Sequence, residues 1–346
     1  MKKTAAVTIN LKRIRPLLLS GVFSFVIIAS IVLAKSLPAI TLGDDVLKIF
    51  LSSNVAFQKD SFLVAGAFSL QEKIPEKVIV TSAQTNPETS QIKVPLKAPS
   101  KSDFSPEVKI SNLSKLNIEP KEYLSPAPKF FDEDFSVLIV HTHTTESYTP
   151  SEKFNYVPTD TDRTTDKKYN MVRVGKEIKN VLEANGVKVY HDTSINDNPS
   201  YSGSYNKSAE VIKKHIARDP SIKIVLDVHR DAIVGNNGEK VKHSTKIDGN
   251  DTAKIMFVVG SNQSGLSHDN WEENMRFATQ LQSHIQSLYP DLCRPLNFRN
   301  QRFNQELAPG GIIVEVGSNG NTLDEAILGA RYFAIALCDF IESNKK

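Results

Sequence analysis

Three apolar runs in this chain each end in side chains able to hold a cation or move a proton. Val137-Leu-Ile-Val140 leads into His141-Thr-His143-Thr-Thr-Glu146-Ser-Tyr148, Ile224-Val-Leu226 into Asp227-Val-His229-Arg230-Asp231, and Ile312-Ile-Val314 into Glu315-Val-Gly317-Ser-Asn319. Histidine nitrogens and carboxylate oxygens drawn from separate strand ends are what a catalytic zinc site needs: three protein ligands and an open position for water, whose pKa then falls to about 7. A carboxylate left over beside such a site serves as the general base. For any single His at a strand end the plain reading is a hydrogen-bonded edge residue, but two His clusters and a Glu at three strand ends favour a metal site. The residue types leave both His141 and His143 open as the first ligand, because residues two apart on an extended strand point the same way. Arg230, beside His229, offers a planar fork of donors for a substrate carboxylate or an oxyanion, with a structural salt bridge as the equal alternative.

These side chains need strands that end together, and the surrounding periodicity supplies them. Ser136–Val140, Val187–Tyr190, Ile222–Val228, Ile255–Val259 and Ile312–Val316 are short apolar runs of buried-strand type. Between them, helical spacing predicts helices over Met171–Leu182, closed by Asn185-Gly186, over Ser208–Arg218, from Trp271 to Leu288 and over Leu323–Phe340. The alternation predicts an α/β fold, a mainly parallel sheet with helices on both faces, in which ligands sit beyond the carboxyl ends of the strands. Gly and Asn turns around Lys240–Lys246 suggest a hairpin insertion at the mouth of the sheet. His191, His215, His243, His268 and His284 do not follow apolar strands in the same way and are set aside. Trp271 falls on a helical apolar stripe and reads as core, Tyr148 is a candidate for stacking on a ligand, and Gly317 permits a close backbone approach near Glu315.

The N-terminal part has a different character. Residues 1–16 carry five basic side chains and no acid, and Leu17–Ala34 is an unbroken apolar and small-residue run, long enough at 1.5 Å per residue for a ~30 Å hydrocarbon core. It reads as a transmembrane anchor with the basic tail in the cytoplasm and the rest outside; Val32-Leu-Ala34 keeps a cleaved signal peptide as the alternative. Residues 35–130 read as a juxtamembrane segment and an extended Pro-, Ser- and Lys-rich linker, which as a flexible coil of ~50 residues reaches roughly 4 nm. Residues 131–346 read as the catalytic domain. A net charge of +3 from 42 basic and 39 acidic residues gives no sign of a nucleic-acid surface. Cys293 and Cys338 are too few for a disulfide framework.

The motifs also carry a family resemblance. The spacing His143-x-x-Glu146 resembles the paired ligands of zinc carboxypeptidases. The wider set resembles the zinc-dependent N-acetylmuramoyl-L-alanine amidases, whose Val-Glu-x-Gly-x-x-Ser-Asn segment is matched here, two residues shorter, by Val314-Glu-Val-Gly-Ser-Asn319. Within that superfamily, Val140-His-Thr-His-Thr-Thr-Glu-Ser-Tyr148, Asp227-Val-His-Arg-Asp-Ala232 and Ile313-Val-Glu-Val-Gly317 resemble the stage II sporulation protein P family. The likeness runs from about Phe135 to the C-terminus, and one membrane span with a long spacer matches upstream.

The resemblance implies a Zn2+-dependent peptidoglycan hydrolase with amidase and endopeptidase activity. It implies forespore engulfment as the setting, with a lytic transglycosylase and a membrane scaffold protein as partners. Carried over by position, His141 and His229 are ligands and Glu315 the catalytic carboxylate. His143 replaces His141 in an ungapped match to the amidase strand end, and the third ligand is Glu146 or Asp166, the latter standing where the wider family places its acid. A non-catalytic module that holds wall peptides or partner proteins is the competing reading.

Overall fold

The computed structural model describes residues 97–100, 107–159 and 161–345. The anchor, the basic tail and most of the expected linker lie outside them. Among the described residues no helix is long and apolar enough to cross a membrane.

A seven-stranded sheet forms the centre, in the order β1-β8-β7-β9-β4-β2-β3. Its strands are β1 (Ile110–Asn112), β2 (Ser136–Val140), β3 (Val189–His191), β4 (Ile222–Asp231), β7 (Ile255–Val259), β8 (Leu296–Phe298) and β9 (Gly310–Ser318). The hairpin strands β5 (Ser244–Ile247) and β6 (Asn250–Ala253) stand apart as an antiparallel pair. Every residue of β2 and β7 is buried, as expected for strands covered on both faces.

Alternation along the strands divides the apolar side chains between the two faces. Val137, Ile139, Ile224, Leu226, Ile312 and Val314 join one large core with α1 (Met171–Ala184), α3 (Trp271–Leu288) and α4 (Leu323–Asn344). Leu138, Val140 and Val225 point the other way, onto Ile212 of α2 (Ser204–Arg218). Asn170 caps α1 by accepting from the Val172 amide, and a capping box between Thr322 and Glu325 starts α4.

The sheet is mainly parallel as expected, and three features were not foreseen. β4, β9, β2 and β3 run parallel, but β7 pairs antiparallel with β9, and β8 and β1 follow the direction of β7. No helix crosses the sheet between β4 and β7. The chain leaves β4, makes the β5–β6 hairpin and re-enters from the same rim, so β7 has to run back. Second, β1 and β8, three residues each, are too short for periodicity to reveal. Third, residues 107–130, expected as linker, lie against the domain: β1 pairs with β8, Tyr123 and Phe130 join the main core, and Phe130 meets Phe277 edge-on with centroids 5.5 Å apart. Arg276 and Gln280 of α3 fasten this stretch by donating to the carbonyls of Ser125 (2.8 Å) and Pro126 (2.7 Å). Pro and Ser carbonyls, read as spacer composition, are here the acceptors.

Packing of α4 on β6 is close enough to be tested. A Cβ at Gly329 would stand 2.3 Å from the Ala253 carbonyl oxygen, which is backbone and has nowhere to go. Gly329→Ala is expected to destabilise the domain by about 1–3 kcal/mol, read as a lowered urea midpoint; an unchanged midpoint would show that helix and hairpin are not locked together.

Candidate active site

Strand parity decides which residues can meet. His229 lies directly beside Glu315 in the β4–β9 ladder, two and four residues beyond Asp227 and Val225, so His229, Asp227 and Glu315 project from the α2 face. His141 follows Ile139 at two residues and continues on the opposite face, toward α1. There its Nδ1 lies 3.0 Å from the Val228 carbonyl oxygen and its Nε2 2.9 Å from Nε2 of His191. Gly175 of α1 leaves room for the pair, since a Cβ there would stand 2.7 Å from both rings. Burial pushes the His141 pKa down to about 4 and that of His191 to about 3, the latter helped by His141 itself.

His143 does not share the direction of His141, because β2 ends at Val140 and residues 142–145 form a turn. The turn is pinned on all sides. Thr142 donates from its amide (2.8 Å) and hydroxyl (2.6 Å) to the two Asp227 oxygens, Thr144 donates to the His141 carbonyl (2.8 Å), and Thr145 donates its hydroxyl to Asp197 (2.7 Å). The result swings His143 over to His229, with ring centroids 5.2 Å apart and planes nearly perpendicular. Glu146 arrives from the far end of the turn, its Oε2 3.5 Å from His229 Nδ1.

His143, Glu146, His229 and Glu315 are thus gathered on one face, and His141 and Asp166 are not among them. Asp166 is exposed and accepts from the Lys168 amide at 2.9 Å in a local turn. Arg230 also departs from the substrate-binding reading. Its Nε donates to the Ser147 carbonyl (3.0 Å) and one terminal nitrogen to the carbonyls of Thr161 (3.2 Å) and Asp162 (3.0 Å), while the guanidinium lies 3.8 Å from Glu146. The fork is buried and spent on the loop that carries Glu146, which is the structural alternative. Tyr148 is fully buried with its hydroxyl on the Val316 carbonyl (2.9 Å), so it is a strut for β9 and not a stacking surface. Trp271 packs against the core beside Phe298, and both cysteines are unpaired.

The surroundings push the titratable groups apart. Burial raises the Glu315 pKa to about 8, with Glu146 adding to the rise and His229 opposing it. Burial works the same way on Glu146, yet the His229 hydrogen bond and Arg230 outweigh it and hold its pKa down at about 2. For His229, burial disfavours the charge, but Asp227 and Glu146 together keep its pKa well above the ordinary value. Burial lowers His143 to about 4, leaving a neutral imidazole. Two carboxyls beside one His therefore differ in state: one stays ionised, the other has a raised proton affinity.

Among the described residues no three His, Cys, Asp or Glu side chains are drawn close enough to hold a metal as they stand. The donors nevertheless suit a cation. His143 Nδ1 and Glu315 Oε2 are buried with no hydrogen-bond partner, and His229 turns Nδ1 toward Glu146 while its Nε2 lies 2.9 Å from Asp227 Oδ1. Unpaired buried acceptors of this kind are costly unless something positive meets them. Two imidazoles and a carboxylate form a donor set of zinc type.

Sequence reasoning assigned no role to four supporting residues: Asp227, which contacts His229 Nε2, Thr142, which donates to Asp227, and Asp197 and Arg163, which pair with each other while Arg163 also reaches Glu146 at 3.4 Å. Asp227 stood in plain view at a strand end. Arg163 and Asp197 sit in irregular segments with no periodic signal.

Comparison with known proteins agrees with the motifs. Residues 39–338 match the sequence profile of the family Stage II sporulation protein P. The chain is 27% identical over 252 residues to Stage II sporulation protein P of Bacillus subtilis (strain 168), an alignment covering 68% of this chain and 60% of that protein. The match thus spans about 60% of the relative's length. Among solved structures, the N-acetylmuramyl-L-alanine amidase Ami1 from Mycobacterium abscessus is similar at 16% identity and a TM-score of 0.37, covering 61% of this chain and 99% of the other. The N-acetylmuramoyl-L-alanine amidase from Clostridium difficile 630 is similar at 13% identity and 0.36, with the same coverages.

The raised Glu315 pKa has a thermodynamic signature. With chelator present, the folded chain keeps a proton on Glu315 that the unfolded chain releases, so stability falls as pH rises from about 4.5 to about 8. Glu315→Gln should flatten that part of the profile in urea denaturation series; a slope identical to the parent's would place the carboxyl in water.

Proposed function

Because the chain belongs to the stage II sporulation protein P family, we propose that it is a zinc-dependent peptidoglycan hydrolase of sporulation. It cleaves the amide between the muramyl lactyl group and L-alanine, and peptide cross-links as well. The observation that carries this reading is the meeting of His143, Glu146 and His229 with Glu315 on one face of the sheet, one carboxyl held ionised and the other with raised proton affinity.

His143, Glu146 and His229 would hold the ion, with His143 taking the place that position in the motif gave to His141. Bound there, zinc supplies Lewis acidity toward the scissile carbonyl and lowers the pKa of water to about 7. Glu315 takes the proton of the attacking water and returns it to the leaving amine, a task suited to a carboxylate whose pKa lies near the working pH. Asp227 steadies the His229 ring from behind through its contact at Nε2, and Arg230 keeps the Glu146 loop in place from within.

In the same reading, Leu17–Ala34 tethers the enzyme as a single-pass membrane protein with the catalytic domain outside, at the septum between mother cell and forespore. Glycan chains freed by an amidase are natural substrates for a lytic transglycosylase, which fits such an enzyme and a membrane scaffold protein as partners.

The test is mass spectrometry of purified peptidoglycan digested by the full chain, with zinc and with a chelator. Zinc-dependent release of stem peptides supports the amidase, and shortened cross-linked peptides support the endopeptidase. No product under either condition would favour a module that binds wall without cutting. Glu315→Ala should keep zinc and lose cleavage by ~10²-fold or more. His143→Ala and His229→Ala should lose both, whereas His141→Ala should still bind zinc; the reverse behaviour of the His141 and His143 variants would put His141 at the centre.

A further inference from the structure

Arg230 commits its fork to the loop that carries Glu146, but a second arginine reaches the same rim with donors to spare. Arg294 is held beside β7, where its amide donates to the Ile255 carbonyl (2.8 Å) and the neighbouring Cys293 forms a bridge with Ile255. From there its side chain extends past β7 and β9 to β4 and brings Nη1 to 2.8 Å from Asp231 Oδ2. Asp231 stands two residues beyond His229 on β4, roughly 7 Å along the strand. After burial and Glu146, its charge also contributes to the raised proton affinity of Glu315. The guanidinium therefore lies at the edge of the candidate site, on the side away from His143.

The charges at this edge are not balanced. Only 16% of the Arg294 side chain is exposed, yet among the described residues Nη1 alone of its nitrogens has an acceptor, and Asp231 also accepts from the Ala232 amide (2.9 Å). Lys254 makes no ion pair among the described residues. His243 is held beside it by the Lys254 amide, which donates to the His243 carbonyl (3.0 Å), and its Nε2 is buried with no hydrogen-bond partner. Burial lowers the His243 pKa, and Arg294 and Lys254 lower it further against the pull of Asp231, so both cations stand near the ring. One carboxylate thus faces two permanent cations and an imidazole nitrogen without a partner.

We propose that Arg294, flanked by Lys254 and His243, is a subsite for a free carboxylate on the peptide of the substrate. This rests on the wall-peptide reading above and requires no metal. Nε and Nη2 share one edge of a guanidinium, the edge that meets both oxygens of a carboxylate, and Asp231 fixes the group through Nη1 without occupying that edge. A guanidinium largely withdrawn from water with donors unused favours such a partner. An extended peptide spans about 3.3–3.6 Å per residue, so the offset from His229 to Asp231 places the bound carboxylate about two residues from the bond at the centre. The role that the sequence offered to Arg230 falls to an arginine 64 positions later, which stands beside no motif.

Calorimetric titration of the full chain in chelator tests this apart from any cleavage. The probes are two muramoyl tetrapeptides that differ only at the second residue, one bearing a free α-carboxylate and the other a carboxamide. The parent should bind the carboxylate form about 10-fold more tightly. Arg294→Gln, whose amide can still donate to Asp231, should bind both forms as weakly as the parent binds the carboxamide. Lys254→Gln should keep the parent's urea midpoint and reduce the preference to about 3-fold, which decides the matter should Arg294→Gln fail to fold. A parent that binds the two forms alike, or binds neither, would overturn the subsite, as would an Arg294→Gln chain that keeps the preference. The Arg294–Asp231 pair would then be a brace between strands, and zinc-dependent release of stem peptides would still support the hydrolase. Absence of that release together with absence of binding would remove the wall-peptide reading and the subsite with it.

Discussion

Everything at the site depends on the register between β4 and β9. The two strands run side by side from Ile224 opposite Gly310 to Asp231 opposite Ser318, and this ladder sets His229 level with Glu315. A shift of one residue would send one of them to the α1 face and leave it there among apolar side chains. Burial on both faces fixes the register, since Leu226 and Val314 point into one core and Val225 and Ile313 into the clusters opposite. The geometry of the candidate site is therefore held by apolar side chains on both faces of the sheet.

The charges gathered there set a second constraint. Glu146, Asp227, His229 and Arg230 are all buried, and ionised groups without partners cost several kcal/mol each in such surroundings. The structure answers with mutual compensation: Arg230 against Glu146, Asp227 and Glu146 around His229, Thr142 donating twice to Asp227. Glu315 stands outside this arrangement and keeps a high proton affinity instead. The difference between the two carboxyls follows from what each touches, not from residue type or from distance to the surface.

Much of the fold was legible in the sequence because strands and helices announce themselves by apolar spacing: β2, β7, α1, α3 and α4 begin where the periodicity begins. Direction was not legible. Nothing in the residues of Ile255–Val259 says whether the strand runs up or down, and only the connection preceding it decides. At the site, His229 and Glu315 were visible as strand-end polar residues, but the choice between His141 and His143 depended on where β2 stops being a strand. One turn starting after Val140 sends them to opposite faces, and its cause is the set of bonds from Thr142, Thr144 and Thr145 to Asp227, the His141 carbonyl and Asp197. Those partners are 52 to 85 residues away for Asp197 and Asp227, beyond any local pattern. Arg230 misled for a related reason, since its acceptors are backbone carbonyls, which every sequence has and no sequence displays.

The return of β7 along β9 has a further meaning for how such a domain can change over generations. A segment that leaves and re-enters a sheet at one rim has only the width of the intervening β9 to span, so each added residue costs little closure entropy. The excursion between β4 and β7 starts next to His229 and ends next to β9, and its turns outside the hairpin strands packed on α4 lie on the rim of the candidate site. That rim can be lengthened, shortened or redecorated while the paired strands beneath stay as they are.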